Sequence, residues 1–288
     1  MSTELKTLNG YGFDATKLGG LDAQYYAQGR SAHNLLDNSD FTNPVNQRGA
    51  TTATLGKYFI DRWNTESFPS GPSITIDSNG LTLLPTTSST ASIYQILPDY
   101  ENRKGKVHTF AICVNNVWKC VSFTMGNFGV GYLLHGLSFF SVDNRNILIR
   151  NNASDTPVPI TIQRVALYEG SYTADTLPAY QPKGYAAELA ECQRYFTRVG
   201  NSSAYGIISG IGCVVKVPIP TTMRNNIVPT VTLDSSLWAY SHEGYVRLNY
   251  TGVTYSTNTA SLHFTVDTSM SDRSCVVPDL SCNISADL

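Results

Sequence analysis

The stretch YAAELAECQRYFTRVG, Tyr185 to Gly200, reads as a helix inside a chain otherwise written in strands. Its apolar residues Tyr185, Leu189, Cys192, Phe196 and Val199 recur at spacings of four and three. That spacing lays them in one stripe and leaves Glu188, Glu191, Arg194 and Arg198 outside it. Gly184 precedes the run and Gly200 supplies a stop signal. A helix of about four turns is marginal alone, so the stripe must be covered by something else. A neighbouring sheet is one cover. A three-fold seam is another, because spacings of four and three are also coiled-coil spacings, although the run falls short of the usual three to four heptads. Either way, residues 183–200 form a connecting helix between two β regions.

Outward on both sides the pattern has a period of two. From residue 34 to 182 the runs TLGKYFI, PSITI, GLTLL, ASIYQI, KVHTFAICV, WKCVSFT, LSFFSV, NILIR and PITIQRVALYEG are punctuated by NNV, DNRN and NNASDTP. This is the grammar of an antiparallel sandwich and not of βαβ units. From 201 to 288 the runs VVKVPIP, TVTLD, LWAYS, YVRLNY, GVTYS and SLHFTV repeat the style, predicting a second, smaller β domain. Residues 1–33 are polar and Gly-rich, with too little apolar surface for a core, so they are expected to be extended or ordered against a partner. Within them Asp22 is placed to cap a short helix through Ala27. The expected fold class is all-β, with two β-sandwich domains joined by a short amphipathic α-helix.

Composition narrows the function classes. The chain of 288 residues is 15% charged and carries a net charge of -2, with no Lys/Arg cluster, which argues against nucleic acid. No run approaches the roughly 18 apolar residues of a membrane span, and MSTELKTLNG lacks the apolar core of a signal peptide, so no membrane insertion is expected and folding in the cytoplasm is. Six cysteines occur without a CxxC pair or a His cluster, which predicts buried free thiols and no metal site. GIISGIG, Gly206 to Gly212, sets its serine one place too late for a nucleophile elbow, and no P-loop, HExxH or GxGxxG is present. Asp61, Asp99 and Glu101 are the available carboxylates, and solvated or turn roles suit them better than glycoside chemistry. No catalytic residue and no cofactor is expected.

Three landmarks then stand in a telling order: NLLDNSDFTNPVNQRG at Asn34 to Gly49, YFIDRW at Tyr58 to Trp63, and IQRVALYEGSYTADTLPAYQPKGYAAELAECQRYF at Ile162 to Phe196. They resemble a family of bacteriophage and prophage tail fibre proteins. In that family a lectin-like jelly roll ends in a strand like ALYEG, followed by a short helix and a distal β domain. VPIPTTMRNNIVPTVTL, Val217 to Leu233, resembles the start of that distal domain, and KLGGLDAQYYA resembles segments that join fibre heads to a virion anchor. The resemblance implies a homotrimeric virion component. Residues 1–33 would dock on tail or baseplate proteins, 34–182 would be the carbohydrate-binding-like jelly roll, and 201–288 would face the host surface polysaccharide. Trimerisation would give the helix stripe a partner and multiply weak glycan contacts. A purely structural adaptor and a polysaccharide-degrading spike are the competing readings. Missing solenoid repeats and motifs count against the spike.

Sugar binding needs a flat apolar face beside fixed donors. Trp238, Tyr240 and His242 alternate along one predicted strand, and Tyr245, Arg247 and Asn249 along the next, with Gly244 at the turn. These six residues are the candidate glycan platform. The opposite faces, Leu237 with Ala239 and Val246 with Leu248, are apolar too, so the hairpin is either covered on both sides or presents one aromatic face to solvent. Arg62 and Trp63 of YFIDRW are expected to be structural, Arg62 pairing with Asp61 or a carbonyl, and Trp118 is expected in the core.

Overall fold

The computed structural model describes residues 17–18, 21–22, 33–66, 71–126, 131–142, 146–220, 223, 230–233, 237–241, 244–256 and 259–286. The fold is all-β, built from antiparallel sheets. In the lead-in, β1 (Lys17–Leu18) pairs with β2 (Leu21–Asp22). Asp22 stands at the end of β2 opposite Lys17, and the short helix expected after it, through Ala27, lies outside the described residues.

The next twelve strands are β3 (Tyr58–Ile60), β4 (Trp63–Thr65), β5 (Ser73–Asp77), β6 (Gly80–Leu84), β7 (Ala91–Ile96) and β8 (Val107–Val114). They continue with β9 (Val117–Thr124), β10 (Tyr132–Leu134), β11 (Leu137–Val142), β12 (Asn146–Asn151), β13 (Ile160–Ile162) and β14 (Arg164–Glu169). One sheet runs in the order β10-β11-β12-β7-β4-β3, and two three-stranded sheets run β13-β6-β5 and β14-β8-β9. Alternate residues of all three sheets meet in one core: Ile93, Phe139 and Ile149 from the six-stranded sheet, Leu81 and Ile162 from the second, Phe110 and Leu167 from the third. Phe110 and Phe139 stack across that core, ring centroids 4.0 Å apart and planes 6° from parallel. Each such side chain contributes about 1.5–3 kcal/mol by leaving water. The outer face of β8 and β14 carries a separate small cluster, Ala111, Ala166 and Tyr168 with Tyr172 packed on them, and Trp118 half-buried against Tyr180 at 5.5 Å. Trp118 thus belongs to this outer layer and not to the main core.

The helix occupies Tyr185–Gln193, and Phe196 already begins a strand, which corrects the expectation of a helix through Gly200. Phe196 and Val199 continue the four-three spacing by coincidence. The β-forming run Tyr195-Phe196-Thr197 finds ladder partners in the C-terminal strand, and those outweigh another helical turn. The stripe is covered only at its end: Tyr185 is 51% exposed, Leu189 half-buried and Cys192 fully buried. Glu188, expected outside, is half-buried and accepts a hydrogen bond from the Asn38 backbone amide.

Five further strands follow among the described residues: β15 (Phe196–Pro218), β16 (Thr230–Leu233), β17 (Leu237–Ser241), β18 (Gly244–Ser256) and β19 (Thr259–Ser285). β15 and β19 pair antiparallel from Phe196↔Ser285 to Pro218↔Thr259. Bulges reset which residues face inward. Along β15 from Ala204 onward the buried positions are Ala204 and Ile208, then, past shifts around Gly210, Cys213, Val215 and Val217. Here GIISGIG has its role. Gly210 takes a left-handed φ of 60°, and the ladder turns so sharply that a Cβ on Gly206 would stand 2.6 Å from the Val214 carbonyl oxygen. The strand folds over itself, and its core fills the inside of the fold. β18 pairs with β17 through one half and with β19 through the other, and β17 touches β19 again at Tyr240↔Val276, so the strand pairings close into a ring.

Candidate functional site

The β17–β18 hairpin carries the six platform residues. Its register sets Trp238 opposite Arg247 and Tyr240 opposite Tyr245, while Leu237 opposes Leu248. Directly opposed residues share a face. Leu237, Ala239 and Leu248 are buried in the C-terminal core, and on the other face Trp238 is 49% exposed, with Arg247 and Asn249 exposed beside it. Trp238, Arg247 and Asn249 therefore stand together on one outward surface. Tyr240 and Tyr245 lie on strands whose side chains at these positions are outside the described residues, as is His242 altogether. An indole beside a guanidinium offers the flat apolar patch and the fixed donors that a sugar ring requires.

The other motif residues converge elsewhere, on the junction before β15. Asp37 receives the Arg62 Nε at 3.1 Å and the Lys183 ammonium at 3.0 Å. Arg62 also donates from Nη2 to the Ile96 carbonyl at 2.8 Å. Burial opposes ionisation of Asp37, but Arg62 and Lys183 outweigh it and hold its carboxyl below the usual carboxylate range. Asn38 donates from Nδ2 to the carbonyls of Val45 and Asp61 at 2.8 and 2.7 Å, and its own carbonyl accepts from Trp63 Nε1 at 2.9 Å. Asp61, expected at the surface, is buried and accepts from the Gln47 amide at 2.7 Å. Arg62 pairs with Asp37 rather than with Asp61, and Trp63 is fully buried. NLLDNSDF and YFIDRW thus form one fastening, structural in purpose. Gln47 extends it by donating from Nε2 to the Phe196 carbonyl at 2.8 Å.

Among the described residues, no group of three or more His, Cys, Asp or Glu is placed to hold a metal ion, and all six cysteines are free. Cys213 and Cys275 face each other in the core with sulfurs 3.7 Å apart. No helix among the described residues is long and apolar enough to cross a membrane. Sequence reasoning missed a cleft of about 410 Å³ beside the junction, lined by Arg48, Tyr58, Phe196, Arg198, Asn283 and Ser285 among others. Its signals are two arginines from distant segments, which no local spacing links.

The chain finds no match among known protein families, curated proteins or solved structures.

Proposed function

We propose that this chain is the host-attachment part of a bacteriophage or prophage tail fibre, gripping a bacterial surface glycan without cleaving it. The observation that carries the reading is the exposed Trp238 standing opposite Arg247 on an open strand pair, a sugar platform in shape and chemistry. In this reading residues 34–182 are a jelly-roll-like β-sandwich, 201–288 a distal β domain, and 1–33 the segment that docks on the virion. The chain assembles as a homotrimer. Tyr205, Ile207 and Ile211, 60–71% exposed on the outermost strand of the C-terminal sheet, supply the apolar surface that copies of the chain would share. Weak single sites then sum through effective concentration.

The test is a glycan array probed with the purified full-length chain, followed by the W238A variant. Retained signal for one class of bacterial polysaccharide, lost by at least about tenfold in W238A, supports attachment through this strip. Absence of glycan binding, with the chain present on a fibre, favours a purely structural adaptor.

A further inference from the structure

We infer that Cys213 and Cys275 form a disulfide site, a pair of core thiols that a peroxide converts into a cross-link bolting the bent β15–β19 ladder. Register alone would keep them apart, because Cys213 stands opposite Phe264 and Cys275 opposite Gly206. The bend at Gly210 brings them together. It folds the Gly206 stretch onto Val214 and Val215, and the two sulfurs meet inside the C-terminal core at 3.7 Å. Gly206 leaves the room they need, since a Cβ there would stand 3.1 Å from Cys275 Sγ. A disulfide holds its sulfurs at about 2.05 Å, a gap that side-chain rotation closes once the thiols already touch. Cys113 and Cys120 are placed differently: their thiols donate to Gln163 Oε1 at 3.6 Å and to the Tyr172 carbonyl at 3.8 Å.

The hydrogen bond between the two thiols holds Cys275 below the usual thiol range, with the Gly206 backbone helping and burial opposing; the same bond, joined by burial, raises Cys213. Cys275 is therefore the sulfur that attacks first. Its thiolate takes one oxygen of hydrogen peroxide to become a sulfenic acid, and the displaced hydroxide leaves as water with the proton that Cys275 gave up. Cys213 then attacks the sulfenic sulfur, and its own proton departs with the hydroxyl as a second water. Two electrons pass from the sulfurs to the peroxide, and one S–S bond remains. Cys213 and Cys275 are 1% and 2% exposed, which shuts out a bulky disulfide such as oxidised glutathione and selects a small oxidant. Its way in is the interrupted ladder beside the pair, where the register shifts between Ile208 and Gly210 and again between Gly210 and Gly212. The cysteines lie 62 positions apart, so the bond closes a long loop carrying β16, β17 and β18 and takes much freedom from the unfolded chain. A reducing cytoplasm keeps the pair open while the ladder forms; an oxidising exterior closes it.

The test uses the full-length chain, purified in reductant and then exposed to hydrogen peroxide without denaturant. After the remaining thiols are alkylated, digestion and mass spectrometry should find one linked pair of peptides, holding Cys213 and Cys275, that separates on reduction. The oxidised chain should melt at least about 5 °C above the reduced one. C213A and C275A should each lose both the linked peptides and the shift, whereas C113A should keep both. The linked peptides are read on the parent chain, so a variant that fails to fold does not remove the test. Glycan binding takes no part in either readout, which keeps the outcome separate from that of the attachment reading. Thiols at Cys213 and Cys275 that stay open to alkylation, a sulfinic acid at either without a link, a link that forms only in urea, or a link that leaves the melt unchanged or lower would overturn the assignment.

Discussion

The guanidinium of Arg62 lies 3.6 Å above the ring of Tyr195, the residue immediately before β15, while its Nε is bound to Asp37. One fully buried side chain thus ties the turn between β3 and β4, the segment ahead of it and the start of the C-terminal sheet into a single fastening. Arg62 holds this place in a left-handed conformation, φ 71°, which costs an ordinary residue about 1–2 kcal/mol. Its bonds to Asp37 and the Ile96 carbonyl and its contact with the Tyr195 ring offset that strain.

Removing either charge should therefore be severe. R62A leaves the Asp37 carboxylate buried beside Lys183 alone, and D37A leaves the Arg62 guanidinium buried; each is expected to destabilise by about 3–5 kcal/mol in urea titration. Asp37 also contributes a dependence on acid. Its folded pKa is depressed, so its contribution is complete above the unfolded value of about 3.9 and is lost as pH falls through the lower folded one. A D37N chain should show a flatter stability profile below about pH 4 than the parent.

At the bend of β15, G206A should destabilise by about 1–3 kcal/mol, because the added methyl meets backbone oxygen and not a yielding side chain. G210A meets nothing within 4 Å and should cost less, through its left-handed backbone alone. Thermal melts that rank the two the other way would rule out this account of the bend.

His108 predicts a separate pH dependence near neutrality. Its ring is buried, Nδ1 lies 3.1 Å from the Lys106 carbonyl, and Nε2 has no hydrogen-bond partner among the described residues. Burial depresses its pKa, with Lys106 and Arg103 adding to that effect and the Lys106 carbonyl and Glu169 opposing it. The unfolded imidazole binds a proton near pH 6.5 and the folded one only below that. Stability should be full above about pH 6.5 and decline as pH falls through it toward the folded value. Urea titrations at pH 7.5 and 5.5 should show that decline in the parent and little of it in H108F.

Strand placement was legible because alternation and turn residues are local properties, and β5 through β9 follow the expected runs closely. The end of the helix was not. Phe196 fits the stripe as well as the strand, and its choice is made by Ser285, a ladder partner far along the chain. The Asp37–Arg62 pair escaped for the same reason, spanning 25 positions, whereas the neighbouring Asp61 looked the natural partner. At the platform the sequence supplied the residues and their shared face but not which face was open, since both faces carry apolar groups. The Arg48–Arg198 cleft needs two segments brought together by the junction, and nothing in either segment announces the other.

The β15–β19 ladder also dictates an order of events. As the chain leaves the ribosome, Phe196 through Pro218 emerges first, and its pairing surface arrives later and in reverse, Thr259 before Ser285. The compact hairpins of β17, β18 and the start of β19 can close meanwhile. Until β19 is finished, a long strand bearing Tyr205, Ile207 and Ile211 waits with its edges unoccupied. Newly made copies are therefore most vulnerable to sticking wrongly to one another in the interval just before β19 zips home.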